Sequence, residues 1–184
     1  MASIFSSILG RTKPYEPSPR FGHCATPVGG RLFLWGGRVP DFSASSGRKK
    51  LASTVEIFDP YQEIWEHQST SGLLPPGLYN STSVSLLGQL YAFGGYDGAS
   101  YYNTLHALDP DSLEWKQLRV LNQADGPMRK RSCAMVPYSQ DRLALFGGYG
   151  IPTGPTQPGA TFTRYTDESG CSNELHIFNI NEGM

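Results

Sequence analysis

Several features are scarce in this chain, and each scarcity excludes a class of protein. No run approaches the roughly 18 consecutive apolar residues a membrane-crossing helix needs, so no such span is expected. The start, MASIFSSILGRTK, has a short apolar run, yet no positive charge precedes it and no clear cleavage site follows, which argues against a signal peptide. Fifteen basic and 16 acidic side chains leave a net charge of -1, so no field of one sign draws in nucleic acid or an anionic membrane. Cysteine is limited to Cys24, Cys133 and Cys171, an odd number without Cys-x-x-Cys spacing. They read as reduced, buried thiols, and the expected location is cytoplasmic or nuclear. Catalytic signatures are missing too: there is no Gly-x-Ser-x-Gly, no phosphate-cradling glycine loop and no carboxylate pair suited to acid and base chemistry. The histidines, His23, His67, His106 and His176, form no i, i+4 pair, so no metal site, cofactor or catalytic residue is expected. Asn80-Ser81-Thr82 is a glycosylation sequon only if the chain is secreted, and it is read as unused.

Glycine and proline, by contrast, are plentiful, at 21 and 14 of 184 residues, and aromatics reach 12%. That mixture suits short strands joined by turns. Three segments repeat one another. RLFLWGGR (31–38) precedes TVEIFDPYQEIW (54–65), QLYAFGGYDG (89–98) precedes TLHALDPDSLEW (104–115), and RLALFGGYG (142–150) precedes ELHIFNINEGM (174–184). The glycine pairs at 36/37, 94/95 and 147/148 lie 58 and 53 residues apart, each after an alternating apolar strand. A period of this size marks stacked units.

Each recurring part has a physical reason. In LFLWGG both faces of the strand are apolar, so it must be covered on both sides. A glycine pair at its end tolerates backbone angles and close chain approach that side chains forbid. Asp59-Pro60 and Asp109-Pro110 mark tight turns, and a further strand carries Trp65 or Trp115. With the strand before each glycine pair, every unit has four; in the second they fall near 79–86, 89–94, 103–108 and 113–118. Four-stranded antiparallel sheets repeated radially are propeller blades.

The double glycine after an apolar strand, followed by a second strand and a spaced tryptophan, resembles the kelch repeat over about residues 18–184. The expected fold is therefore all-β: a partial kelch-type propeller of about three four-stranded antiparallel blades, near 18–70, 76–120 and 127–184, after an N-terminal extension of residues 1–17. Ten residues separate Val55 from Trp65 and Leu105 from Trp115, so counting from Leu175 puts the third tryptophan at position 185, just past Met184. The third blade is thus expected to lack its last strand. Because such propellers close with about six blades, the sequence reads as a piece of a larger one, whether a truncated gene product, an incomplete gene model or an expressed portion. Two uncovered blade faces of ~400 Å² each would forgo about 10 kcal/mol of burial apiece, so self-association through them is expected.

Loops gather on one face of a propeller, and function is expected there. The first, 38–53, carries Arg38, Arg48, Lys49 and Lys50; the second, 96–103, carries Tyr96 and Tyr101; the third, 149–173, carries Arg164 and Tyr165. The resemblance implies a peptide-recognition surface built from the residue after each glycine pair (Arg38, Tyr96, Tyr149), from loop cations and aromatics (Arg48, Tyr101, Arg164, Tyr165) and from polar residues atop the innermost strands (Asn80, Ser132). MRKRS (128–132) reads instead as the entry to a strand. FGGYG with its long insertion and NELHIFN are further similar to kelch receptors of cullin-RING ubiquitin ligases. This implies a non-catalytic module, with a client protein or peptide and a ligase adaptor as partners. The alternative is a metal- or small-molecule-using kelch enzyme such as an oxidase.

Overall fold

The computed structural model describes residues 14–39, 53–76, 79–119, 126–153, 158–166 and 168–181, so Arg48, Lys49 and Lys50 fall outside the described residues. Every regular element among these residues is a strand. Blade one is an antiparallel sheet of β1 (Phe21–Val28), β2 (Arg31–Arg38), β3 (Thr54–Asp59) and β4 (Ile64–Ser69) in sequence order. Blade two departs from the expected four strands. A short β5 (Ser71–Gly72) joins β6 (Thr82–Leu86), β7 (Gln89–Phe93), β8 (Leu105–Leu108) and β9 (Glu114–Leu118), giving the order β5-β9-β8-β7-β6. β5 runs parallel to β9, fastened by Ser71 N to Leu113 O (3.0 Å) and Leu73 N to Trp115 O (2.8 Å).

The third repeat forms two sheets. Its elements are β10 (Arg129–Arg131), β11 (Ala134–Pro137), β12 (Arg142–Phe146), β13 (Tyr149–Ile151), β14 (Phe162–Arg164), β15 (Gly170–Ser172) and β16 (Leu175–Asn179). Blade three proper is β11-β12-β16, so it holds three strands among the described residues. Each of these continues across a two-residue break into a second sheet, ordered β10-β13-β15-β14. The stretch 149–173, expected as a loop, therefore contributes three short strands to a raised sheet that extends blade three.

The turns follow from single side chains. Asp59 Oδ1 accepts from the amides of Tyr61 and Gln62, at 2.8 and 3.1 Å. Asp109 Oδ1 does the same for Asp111 and Ser112, at 3.0 and 2.9 Å, and Asn179 Oδ1 accepts from Asn181, at 2.9 Å. These bonds reverse the chain at one equivalent place in each repeat.

Packing between blades supplies two cores. Cys24, Val28, Phe33, Trp35, Val55 and Ile57 of blade one meet Leu90, Ala92, Leu108 and Trp115 of blade two, and the rings of Trp35 and Trp115 lie 5.4 Å apart. The opposite side of blade two, with Tyr91, Phe93, Leu105 and Ala107, meets Cys133, Met135, Leu143, Leu145 and Phe178 of blade three. Cys24 and Cys133 are buried free thiols, and desolvation pushes each up to about 11. Cys171, expected to be buried, is exposed because it lies on the raised sheet outside both cores.

Main-chain bonds tie the tops of the inner strands together. Asn80 N donates to Gly22 O, and Ser132 N donates to Asn80 O, both at 2.7 Å. Gly95 N donates to Lys130 O and Lys130 N to Tyr102 O, both at 2.9 Å. Gly94 permits this last approach. Its φ is +65°, and a Cβ there would stand 2.5 Å from Lys130 O.

A second set of equivalent positions sits on the blade faces. Glu56, His106 and His176 lie opposite Leu34, Ala92 and Leu145, so each occupies the same place in its blade. His106 and His176 are buried against the preceding blade. Glu56 lies on the face of blade one turned away from blade two. There Tyr15 Oη donates to its Oε2 (2.8 Å), Arg20 Nη2 donates to Oε1 (3.0 Å), and His67 Nδ1 stands 3.0 Å from Oε2.

Candidate functional site

Above the three inner strands runs a chain of aromatic rings. Phe21 lies 6.4 Å from Tyr79, Tyr79 lies 5.5 Å from Tyr96, and Tyr96 lies 4.6 Å from Tyr101, measured between ring centroids. The chain continues to Tyr149 at 6.0 Å and Tyr165 at 6.4 Å. Isolated bridges of Tyr96 with Tyr79 and with Tyr101 fix the middle of the chain. The far end is carried by β13 and by the raised sheet, where Tyr149 Oη and Ser169 Oγ share a hydrogen bond of 2.7 Å. Tyr165 is largely exposed.

Arg131 is the centre of this surface. Its guanidinium lies 5.4 Å from the centroid of Tyr96, 5.9 Å from Tyr101 and 5.5 Å from Tyr149. These are cation-π distances. No carboxylate within ion-pair distance of Arg131 occurs among the described residues. The three rings surround the guanidinium, and its charge is not neutralised by a carboxylate among the described residues. Burial raises the Tyr101 hydroxyl above its ordinary range, against the opposing pull of Arg131, so this hydroxyl stays a neutral donor and acceptor at physiological pH.

Of the residues singled out from sequence, Tyr96, Tyr101, Tyr149 and Tyr165 share this one surface. Asn80 and Ser132 do not join it through their side chains in any contact seen here; they serve the main-chain links between blades, and both adopt positive φ, 55° and 56°. Arg38 is exposed at the end of β2, and Arg164 is exposed at the end of β14. Phe21, Tyr79 and Arg131 were missed. A signal for two of them existed. Aligning the inner strands on Cys24, Ser81 and Cys133 places Gly22, Tyr79 and Arg131 in one column beside the cross-blade links.

Beneath Arg131 lies Lys130, fully buried, with no hydrogen-bond partner for its Nζ among the described residues. Desolvation lowers its affinity for a proton, opposed by the nearby Cys133 and Glu174. An unpaired buried amine costs folding energy that an apolar side chain of similar shape avoids. Lys130→Met is therefore expected to leave stability unchanged or raise it by about 1 kcal/mol, read as a higher urea midpoint at constant slope.

The described residues hold no group of three His, Cys, Asp or Glu side chains close enough to share a metal ion. No helix among them is long and apolar enough to cross a membrane.

The family model described as the KLHDC2/KLHL20/DRC7 Kelch-repeats domain matches residues 9–184. Kelch domain-containing protein 1 of Mus musculus is 32% identical over 145 residues, covering 71% of this chain and 32% of that protein. Kelch domain-containing protein 3 of Homo sapiens is 28% identical over 129 residues, covering 68% and 33%. Kelch domain-containing protein 2 of Rattus norvegicus is 28% identical over 147 residues, covering 73% and 34%. The chain thus spans about a third of the length of the curated relatives it matches.

Proposed function

Because the chain belongs to the kelch-repeat family, a family of protein-interaction modules, we propose that it recognises a peptide of a client protein on the tyrosine surface, with Arg131 receiving a carboxylate. The observation that carries this reading is the guanidinium held over three tyrosine rings without an acidic partner among the described residues. A guanidinium already held among rings loses less freedom on pairing with a carboxylate. Tyrosines add contact area at low entropic cost, as they do in other peptide-binding surfaces. The client is presented to a cullin-RING ubiquitin ligase, and the blades provide the rigid frame.

The test compares proteins captured by the wild-type chain with those captured by Arg131→Ala and Arg131→Lys after proximity labelling in cells. Losing a charge-assisted pair should weaken client binding by about tenfold or more. Arg131→Lys keeps the charge but not the forked donor geometry of a guanidinium, and should recover only part of it. Thermal melts of both variants guard against a folding defect. Recovery of the same clients by all three would sink the reading.

A further inference from the structure

We infer that the crevice between blades two and three is a docking groove for an extended acidic peptide segment, reached from the tyrosine surface. The inference deepens the reading above and rests on it for the direction from which the peptide arrives.

Two cavities make up the groove. One, of about 340 Å³, opens beside Tyr101. The other, of about 510 Å³, lies farther out along β9 and includes Gln117 and Arg119. Arg129 and Thr153 line both, so the two cavities adjoin at these residues.

The described lining carries charge of one sign. Arg119 and Arg129 are exposed, neither forms an ion pair among the described residues, and no Asp or Glu among the described residues lines either cavity. The cavity between blades one and two contrasts with this, since it sets Glu66 and Asp111 beside Arg31. The uncharged part of the groove suits a main chain. Gln117 and Asn103 bring amides, and Thr153 a hydroxyl, groups that serve both donors and acceptors of an extended backbone. Asn103 is held in place by donating from Nδ2 to Pro127 O, at 3.1 Å. Cations for acidic side chains and amides for the backbone together describe an acidic segment lying extended.

The probe is a fluorescein-labelled octaglutamate with an amidated C-terminus, with octaglutamine for comparison, followed by anisotropy on the full chain. Octaglutamate should bind, octaglutamine should not, and Arg119→Glu and Arg129→Glu should each weaken binding by about tenfold. Lys116→Glu is the charge-matched control; it lies on β9 next to Gln117 and so points to the other face of that strand. Equal weakening by Lys116→Glu would mean a diffuse field rather than a groove, and no weakening by either arginine variant would mean no groove. Either overturns the inference, as would an oligothymidylate of equal charge binding as well. Arg131→Ala separates the two readings. If it binds the amidated probe like wild type while Arg129→Glu does not, the groove stands whatever becomes of the Arg131 site. If it alone abolishes binding, the groove fails and the Arg131 site remains.

Discussion

Gly94→Ala is expected to destabilise the chain by roughly 3 kcal/mol, the left-handed backbone costing about 1–2 and the steric conflict about 1–3. At this size that corresponds to a melting temperature lower by about 10 °C. Two separate causes add. The residue adopts φ +65°, and a methyl group there would meet a main-chain oxygen, Lys130 O, at 2.5 Å, with Tyr102 O at 3.2 Å. A carbonyl cannot step aside as a flexible side chain can. Relief would require moving β10 away from blade two, which breaks the bonds from Gly95 N to Lys130 O and from Lys130 N to Tyr102 O. Gly88→Ala isolates the first cause. Gly88 also has positive φ, +76°, but a Cβ would meet nothing within 4 Å, so only about 1–2 kcal/mol is expected. Calorimetry on the two variants should rank them in that order; equal losses would show that the contact with Lys130 is not what makes Gly94 necessary.

Acid should weaken the pairing of blades one and two through His106. Burial lowers this imidazole from 6.5 to about 4, and its Nδ1 has no hydrogen-bond partner among the described residues. A base with a depressed folded pKa takes its proton more readily when unfolded. Its stabilising contribution is complete above about 6.5 and is lost progressively as the pH falls towards 4, by roughly 3 kcal/mol in all. His176 is lowered as well, by desolvation first and by Lys130 second, with Glu174 opposing, so it adds to the same trend. Urea titrations of wild type and His106→Leu between pH 7 and pH 4 would measure the difference. The variant, which places an apolar group on an apolar face, should lose distinctly less stability over that interval. Parallel pH curves would remove His106 as the cause.

How much of this was readable beforehand depended on how local the chemistry was. The glycine pairs, the Asp59 and Asp109 turns and the strands of the second unit announce themselves through a few adjacent residues, and β6 to β9 fall within two or three residues of the expected limits. The equivalence of His106 and His176 was also visible, though their burial was not, since it depends on the neighbouring blade. The raised sheet escaped notice because three-residue strands in a stretch rich in Pro, Gly and Thr carry no periodicity. β5 is shorter still and pairs in parallel with a strand some 40 residues away. Among candidate site residues, the tyrosines stood out beside their glycines. Arg131 did not, because MRKRS looks like any basic strand entry, and its ring contacts arise only when the second and third repeats come together.

The cross-blade links at Gly22, Asn80 and Ser132 are made by main-chain atoms alone. These links do not depend on the side chains next door, Tyr79 and Arg131, which meet the neighbouring repeat separately, through Phe21 and through Tyr96 and Tyr101. Exchanging those two side chains would alter the ring surface while leaving the main-chain links between the inner strands as they are.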